Sequence, residues 1–234
     1  MIRKRINIIL LGAFCIFMVS CCPGLKKIDM SPAYKYISAN DATVYLRVSG
    51  LHIEGIIEGS GTGVAVANSR NREQTLILTA GHICSELEGP GVLESRIVVI
   101  TRDGEINYSK TVAIDKNYDL CLIKIDDEIP IAKVSKRLPE TGEKVTYSGY
   151  PSGFFMPGIL HHFDGYMAGA APTGDHIYNI PVTGGSSGSP IYNHRGHIVG
   201  LVSAVMVEFE HITFAVGTDA IRNFILDNKN WDKE

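Results

Sequence analysis

The sequence lacks a basic patch. Its 22 lysines and arginines are outnumbered by 25 aspartates and glutamates, which gives a formal net charge of −3. Proteins that bind nucleic acid usually carry clustered cationic residues, because contacts with phosphate dominate their affinity. The charge distribution therefore excludes nucleic acid from the expected partners.

The sequence also lacks an apolar run long enough for a full membrane span, which needs about 20 residues. The apolar run at residues 6–19 follows three basic residues and precedes Ser-Cys-Cys-Pro-Gly at 20–24. A basic start, a short apolar core and small residues after it are typical of an export signal. We therefore expect residues 1–20 to be a signal peptide; an uncleaved short anchor is the alternative.

The end of this leader resembles a bacterial lipoprotein cleavage site. Ser20 directly precedes Cys21, the cysteine that would carry the lipid, although Met18 occupies the position where Leu is usual. We predict lipidation at Cys21, with residues 21–40 as a tether. The protein is then expected in the periplasm or cell envelope, attached to a membrane through this lipid anchor.

Cysteine is scarce beyond the leader, where only Cys84 and Cys121 follow Cys22. In an oxidising compartment these two can pair, and two buried thiols are the alternative. The histidines at 161, 162, 194 and 197 have no cysteine or carboxylate partners at metal-ligand spacing. We therefore expect neither a metal nor another cofactor.

Helical periodicity is rare, being confined to residues 218–228, where apolar residues recur on one face after Thr218 or Asp219 as the cap. Short strand-like segments form two groups, within residues 41–125 and 143–217, and a polar connector at 126–141 separates them. The segments lie at 42–48, 53–57, 59–66, 75–82, 96–101, 106–112 and 119–125, then at 143–151, 158–166, 176–180, 189–192, 197–207 and 212–216. This pattern predicts an all-β fold of two six-stranded antiparallel β-barrels with a short C-terminal helix.

Three of these segments carry the residue types that acyl transfer requires. His82 ends a strand, Asp119 begins one, and Ser187 lies in the Gly/Ser-rich turn at 183–190. A serine hydroxyl needs a base within hydrogen-bond reach, and that base needs an acid on its other nitrogen. The turn alone would indicate a flexible surface loop, but the histidine and the acid upstream favour a nucleophile turn.

These segments resemble those of the trypsin-like (chymotrypsin-fold) serine endopeptidases, and the likeness covers about residues 40–228. Residues 79–82 look like the family's Thr-Ala-Ala/Gly-His, and residues 119–124 are similar to its Asp-hydrophobic-Ala-Leu-Leu-Lys. Residues 185–190 resemble Gly-Asp/Asn-Ser-Gly-Gly/Ser-Pro, and residues 59–63 resemble its Gly-Ser-Gly strand. The finer pattern is similar to the bacterial V8-like glutamyl endopeptidases and HtrA-like proteases.

The resemblance implies a hydrolase that cleaves protein or peptide substrates through an acyl-enzyme. Ser187 would be the nucleophile, His82 the general base and then acid, and Asp119 the orienting carboxylate. The backbone N–H groups of Gly185 and Ser187 would form the oxyanion hole.

The same resemblance implies a substrate-binding strand at Ser203, Ala204 and Val205. The Ser203 hydroxyl would support the buried acid, with an ordinary strand serine as the alternative. Val202 stands where glutamyl endopeptidases carry a histidine, and Pro181 replaces the Asp that selects Lys or Arg. Val205 occupies a place that is often Gly, so we expect small or medium aliphatic residues at the cleaved position.

Two local features add further expectations. Ser186 replaces the Asp or Asn that usually precedes the nucleophile, and it offers a competing hydroxyl. Cys84 lies two residues after His82 and Cys121 two residues after Asp119, so a disulfide behind that pair is a hypothesis beside that of two buried thiols.

Two other functions remain as alternatives to an exported serine endopeptidase. One is a catalytically silent protease fold that serves as a binding module, and the other is a lipid-anchored envelope protein whose main role is interaction. The complete His, Asp and Ser set favours the enzyme.

Overall fold

The structure, a computed structural model, describes residues 39–172, 174–206, 209 and 211–233. The predicted signal peptide, the lipidation site at Cys21 and nearly all of the tether lie outside these residues. Within the described ranges, no helix is both long and apolar enough to cross a membrane.

The first half of the chain forms a closed antiparallel barrel of six strands, in the order β1-β2-β3-β6-β5-β4. Its strands are β1 (Thr43–His52), β2 (Gly55–Asn68), β3 (Thr75–Ala80), β4 (Val92–Ile100), β5 (Ile106–Asp115) and β6 (Leu120–Ile125). Along β1 the side chains of Val44, Leu46 and Val48 are buried at every second position. This alternation arises because successive side chains of a strand point to opposite faces.

The second half forms another closed antiparallel barrel, in the order β10-β11-β12-β9-β8-β7. Its strands are β7 (Lys144–Gly149), β8 (His161–Ala170), β9 (His176–Asn179), β10 (Pro190–Tyr192), β11 (Ile198–Val205) and β12 (Ile212–Gly217). The prediction of an all-β fold with two six-stranded barrels is confirmed.

Among the described residues from Thr43 onward, two α-helices accompany the barrels. The C-terminal helix α2 (Thr218–Asp227) confirms the predicted one, and it buries Ile221 and Phe224. The five-residue helix α1 (Gly81–Ser85) directly follows β3. The prediction of a strand through residue 82 was therefore wrong, since a single helical turn is too short to show a 3.6-residue period.

Several strand boundaries also differ from the prediction, that of β2 among them. Residues 53–57 and 59–66 were expected to be separate strands, but β2 runs without a break through residues 55–68. The glycines at the start of the second segment continue the ladder with β1, since Gly59 pairs with Val48 and Gly61 pairs with Leu46. The hairpin turn lies instead between His52 and Gly55.

The second barrel has a core that contains large aromatic side chains with polar ends. Tyr147 and Tyr178 are fully buried there, beside Val145, Met167 and Ile191. Buried hydroxyls need hydrogen-bond partners. The hydroxyl of Tyr178 donates to a backbone carbonyl oxygen at 3.0 Å, while that of Tyr147 contacts the nucleophile turn.

Candidate active site

The antiparallel pairing of β3 with β6 brings His82 and Asp119 together. Ala80, the last residue of β3, pairs with Leu120, the first residue of β6. The residues just beyond these two ends must therefore lie side by side. His82 occupies the first turn of α1, and Asp119 precedes β6 with a left-handed φ of 53°. A non-glycine residue in that region is uncommon, and Asp is among the residues that tolerate it best.

The Asp119 carboxylate accepts hydrogen bonds from both the backbone and the ring of His82. The backbone N–H of His82 lies 2.7 Å from Oδ1 of Asp119. The ring Nδ1 lies 3.1 Å from Oδ1 and 3.0 Å from Oδ2. With Nδ1 protonated and bound to the carboxylate, the lone pair of Nε2 is free to accept a proton.

Ser203 supplies a further hydrogen bond to the same carboxylate. The register of β11 with β12 shifts between Val202 and Ala204, so Ser203 lies in a bulge. A bulge turns a side chain out of the regular alternation. The Ser203 hydroxyl donates to Oδ2 of Asp119, 84 residues away in the chain.

These contacts shift the pKa values of both ionisable groups. The hydrogen bond with Asp119 raises the pKa of His82 above its ordinary value of 6.5, although burial opposes the rise. Burial favours the neutral form of Asp119, but the hydrogen bonds from His82 and Ser203 outweigh it and lower the pKa of that carboxyl. Asp119 is thus a carboxylate at neutral pH, poised to stabilise an imidazolium.

Two glycines, Gly185 and Gly188, allow the backbone conformation of the predicted nucleophile turn. The N–H of Ser186 donates to the carbonyl of Thr183 at 3.0 Å, which closes a turn with Gly185 at φ 81°. Such a turn is of type II, which needs φ above zero at its third position. Gly188 also has a positive φ, of 79°, and a Cβ there would lie 2.2 Å from the carbonyl oxygen of Thr62.

The two serines of the turn have different surroundings. Ser186 is fully buried, and its hydroxyl lies 2.8 Å from the hydroxyl of Tyr147. It also accepts a hydrogen bond from the N–H of Thr183 at 3.3 Å. Ser187 is partly exposed. Ser186 is therefore held within the turn and is not presented to a substrate.

Ser187 belongs to the turn that faces the first barrel. Its carbonyl accepts a hydrogen bond of 2.9 Å from the N–H of Thr62 in β2. In the part of the chain that the structure describes, no hydrogen bond joins the Ser187 hydroxyl to the ring of His82. Such bonds are often long without substrate and shorten in the substrate complex.

Two backbone donors of the turn have no partner among the described residues. The N–H groups of Gly185 and Ser187 make no hydrogen bond there, whereas those of Ser186, Gly188 and Ser189 all do. Unpaired N–H groups two residues apart can bind one negatively charged oxygen. The arrangement provides the donors that an oxyanion hole requires.

The sulphur atoms of Cys84 and Cys121 lie 1.99 Å apart, at disulfide bonding distance. Both residues are buried, Cys84 in α1 and Cys121 in β6. The disulfide thus joins the two elements that carry His82 and Asp119.

The residues expected to bind substrate lie at the end of β11. Ala204 is exposed, and Val205 is partly buried against the core of the second barrel. The side chain of Val202 belongs to that core, with 2% of its surface exposed. Pro181 is partly buried.

The remaining histidines do not gather around a common centre. His162 lies 2.8 Å from the Ser148 hydroxyl, and His161 contacts the ring of Phe154. Among the described residues, no group of three or more His, Cys, Asp or Glu side chains is placed to hold a metal ion.

Sequence reasoning missed Thr62, Ser152 and Tyr147, which all contact the nucleophile turn. Thr62 lies between Gly61 and Gly63 of the motif at 59–63, so its motif was found but the role of its side chain was not. No local pattern distinguishes Ser152 or Tyr147, because each contacts the turn only through tertiary structure.

Comparisons with known proteins agree with this geometry. Residues 61–201 match the trypsin-like peptidase domain family. The putative serine protease HhoA of Synechocystis sp. is 28% identical, over 71% of this chain and 43% of its own length. The serine protease Do-like HtrA of Bacillus subtilis is 27% identical, over 83% of this chain and 45% of its own length. The chain therefore spans less than half of either relative.

A solved structure shares the fold. The serine endoprotease from Yersinia pestis superposes with a TM-score of 0.67 at 20% identity, covering 89% of this chain and 69% of that one. The family match extends over more than half of the chain and includes His82, Asp119 and Ser187. The chain belongs to the trypsin-like peptidase domain family.

Proposed function

We propose that the protein is an exported serine endopeptidase that uses Ser187, His82 and Asp119 as its catalytic triad. The observation that carries the proposal is the hydrogen-bonded His82–Asp119 pair at 3.0 Å, together with a partly exposed serine in a turn with two unpaired N–H groups. Family membership supports the same reaction class.

The reaction begins when the Ser187 hydroxyl oxygen attacks the carbonyl carbon of the scissile peptide bond. Nε2 of His82 takes the hydroxyl proton, and the carboxylate of Asp119 stabilises the imidazolium that results. The N–H groups of Gly185 and Ser187 donate to the oxyanion of the tetrahedral intermediate.

The intermediate then collapses as the C–N bond breaks and His82 gives its proton to the leaving amine. This step leaves an acyl group on Ser187. A water molecule next attacks the ester carbonyl, with His82 again as the base, and the carboxylic acid product departs as the Ser187 hydroxyl regains its proton.

The substrate is proposed to be a protein or peptide, since the relatives carry the names of serine proteases and endoproteases. Its backbone would pair with Ser203, Ala204 and Val205 as an added strand. By the family resemblance, Val205 would narrow access to the primary specificity pocket, and Pro181 stands where an acid would select Lys or Arg. We therefore propose cleavage after small or medium aliphatic residues, which a peptide-library profile would test.

Export is proposed from residues 1–20 and from relatives named as periplasmic endoproteases. Lipidation of Cys21 would hold the catalytic domain at a membrane. Incorporation of labelled palmitate into the wild type, and its loss in Cys21→Ala, would test the anchor without reference to activity.

Hydrolysis of unfolded casein by the purified protein tests the enzymatic proposal. The wild type should cleave it, and Ser187→Ala should not. Ser189→Ala is a matched control, because Ser189 lies two residues away in the same turn and its side chain is fully buried. Cleavage of casein by Ser187→Ala at the same rate as by the wild type would reject the proposal.

A further inference from the structure

The backbone of the nucleophile turn is held from outside by two elements that carry no member of the proposed triad. From β2, the Thr62 hydroxyl donates to the carbonyl oxygen of Gly185 at 3.1 Å. From the 3₁₀ helix Pro151–Gly153, the N–H of Ser152 donates to the carbonyl oxygen of Gly184 at 2.5 Å. The carbonyl oxygens of Gly184 and Gly185 thus accept hydrogen bonds from groups outside the turn. The N–H groups of Gly185 and Ser187, in contrast, have no partner among the described residues.

The direction of the Gly184 carbonyl decides where the N–H of Gly185 points. The C=O and N–H of one trans peptide group point in opposite directions. Because Ser152 binds the Gly184 oxygen on one side, the N–H of Gly185 must face the other side. Rotation of this peptide between two glycines would exchange the two groups and place a carbonyl oxygen where the oxyanion donor is needed.

The side-chain hydroxyls of Thr183 and Ser152 also help to fix the carbonyl group of Gly184. The Thr183 hydroxyl donates to the Gly184 oxygen at 3.1 Å and lies 3.0 Å from the Ser152 hydroxyl. The Thr183 hydroxyl has a single proton, which it donates to the Gly184 oxygen. The Ser152 hydroxyl must therefore be the donor in its hydrogen bond with Thr183. The Gly184 oxygen therefore accepts two hydrogen bonds.

The segment that carries Ser152 is itself fixed by Thr62 and by aromatic packing. The N–H of Tyr150 donates to the Thr62 hydroxyl at 3.1 Å. The rings of Tyr150 and Phe155 pack on Tyr45 of β1, at centroid distances of 5.5 Å and 5.2 Å. Thr62 is fully buried, and its single hydroxyl links this segment to the nucleophile turn. Both contacts thus depend on one side chain.

We propose that Thr62 and Thr183 are positioning residues, which orient the Gly184–Gly185 peptide so that the N–H of Gly185 faces the substrate. The inference rests on the proposed function, because it concerns the oxyanion hole of that reaction. Neither side chain is a member of the triad. Both act through the backbone of the turn.

Two pairs of variants test this proposal. Thr62→Val and Thr183→Val remove the hydroxyls with little change of shape, while Thr62→Ser and Thr183→Ser keep them. Loss of a whole oxyanion donor costs about 10²–10³-fold in kcat, so partial misorientation in Thr62→Val should cost about 10- to 100-fold. Because the Thr183 bond is exposed and is backed by the N–H of Ser152, Thr183→Val should cost about 3- to 10-fold. KM should change little, and both Ser variants should stay within about threefold of wild type.

The rates are normalised to the active fraction, measured by titration with a fluorophosphonate. A residue that served only folding would lower the active fraction and leave kcat per active site unchanged. Wild-type kcat per active site in both Val variants, with an active wild-type enzyme, would overturn this inference alone. If Thr62→Val does not fold, the comparison of Thr183→Val with Thr183→Ser tests the inference instead, because Thr183 is exposed. A folded wild type that neither labels nor hydrolyses casein would instead remove the proposed function, and this inference with it.

Discussion

Cys84 and Cys121 are joined by a disulfide, and each lies two residues beyond a member of the His82–Asp119 pair. The bond ties α1 to β6 across a sequence separation of 37 residues. A loop of this size loses about 3–4 kcal/mol of chain entropy in the unfolded state when it is closed. The double variant Cys84→Ser, Cys121→Ser should therefore unfold with a free energy about 2–4 kcal/mol below that of wild type, as measured by urea denaturation.

Reduction of the wild type should reproduce this loss, and the reductant should leave the double variant unchanged. Thiol mapping of the exported protein by mass spectrometry checks the bond directly. Two free thiols in the oxidised protein would contradict the pairing.

The pH dependence of the proposed reaction follows from the His82–Asp119 hydrogen bond. The base must be neutral to accept a proton, so kcat/KM should fall as the pH drops through the pKa of His82. Because the bond with Asp119 raises that pKa, the midpoint of the acid limb should lie above 6.5. Asp119→Asn should move the midpoint down and lower kcat by about 10⁴-fold, as loss of the acid does in such triads.

A pH profile of kcat/KM measures both effects. Glu86→Gln is a useful control, since Glu86 also raises the pKa of His82, but only through its charge and to a smaller extent. It should shift the midpoint slightly and leave kcat near wild type. An unmoved midpoint in Asp119→Asn would show that the pair is not coupled.

Through its hydroxyl, Ser203 should contribute to turnover rather than to substrate binding. The hydroxyl donates to the ionised carboxylate of Asp119, and a hydrogen bond to a charged group contributes about 1.5–3 kcal/mol. Ser203→Ala should thus lower kcat by about 10- to 100-fold, while Ser203→Thr, which keeps a hydroxyl, should lose less. Steady-state kinetics on a peptide substrate would measure this, and equal losses in both variants would assign the effect to packing.

Gly188 should be one of the least replaceable residues of the turn. A Cβ at this position meets the carbonyl oxygen of Thr62 and the hydroxyl of Thr79, both at 2.2 Å. Gly142 provides a matched control, because its φ of 84° is also left-handed but its Cβ would meet nothing within 4 Å. Gly142→Ala should cost about 1–2 kcal/mol from backbone strain alone, and Gly188→Ala should cost clearly more. Equal shifts in thermal unfolding would contradict the proposed clash.

Much of the fold could be predicted because it depends on local patterns. Alternating burial in β1 and continuous apolar runs in β3 and β6 are readable as strands, and the one-sided apolar face of α2 is readable as a helix. The helix α1 was not predicted, because five residues with one turn carry too little periodicity. The β1–β2 hairpin was misplaced because its turn lacks a glycine or proline at its centre.

The candidate site was predictable where its residues stand in recurrent short motifs, as His82, Asp119 and Ser187 do. It was not predictable where a hydrogen bond joins distant parts of the chain. The contact of Thr62 with Gly185 spans 123 residues, and that of Tyr147 with Ser186 depends on the closure of the second barrel. In the structure Ser186 is buried, whereas Ser187 is partly exposed. The Ser-Ser pair in the sequence does not by itself show which of the two serines is exposed.

The central claim is that Ser187 is the activated nucleophile, and it can be tested by mapping the site of fluorophosphonate labelling. The folded wild type should acquire one adduct, which peptide mass spectrometry should locate on Ser187, and Ser187→Ala should acquire none. Ser189→Ala should label at the wild-type rate. An adduct on Ser186, or no adduct on protein that circular dichroism shows to be folded, would contradict the account.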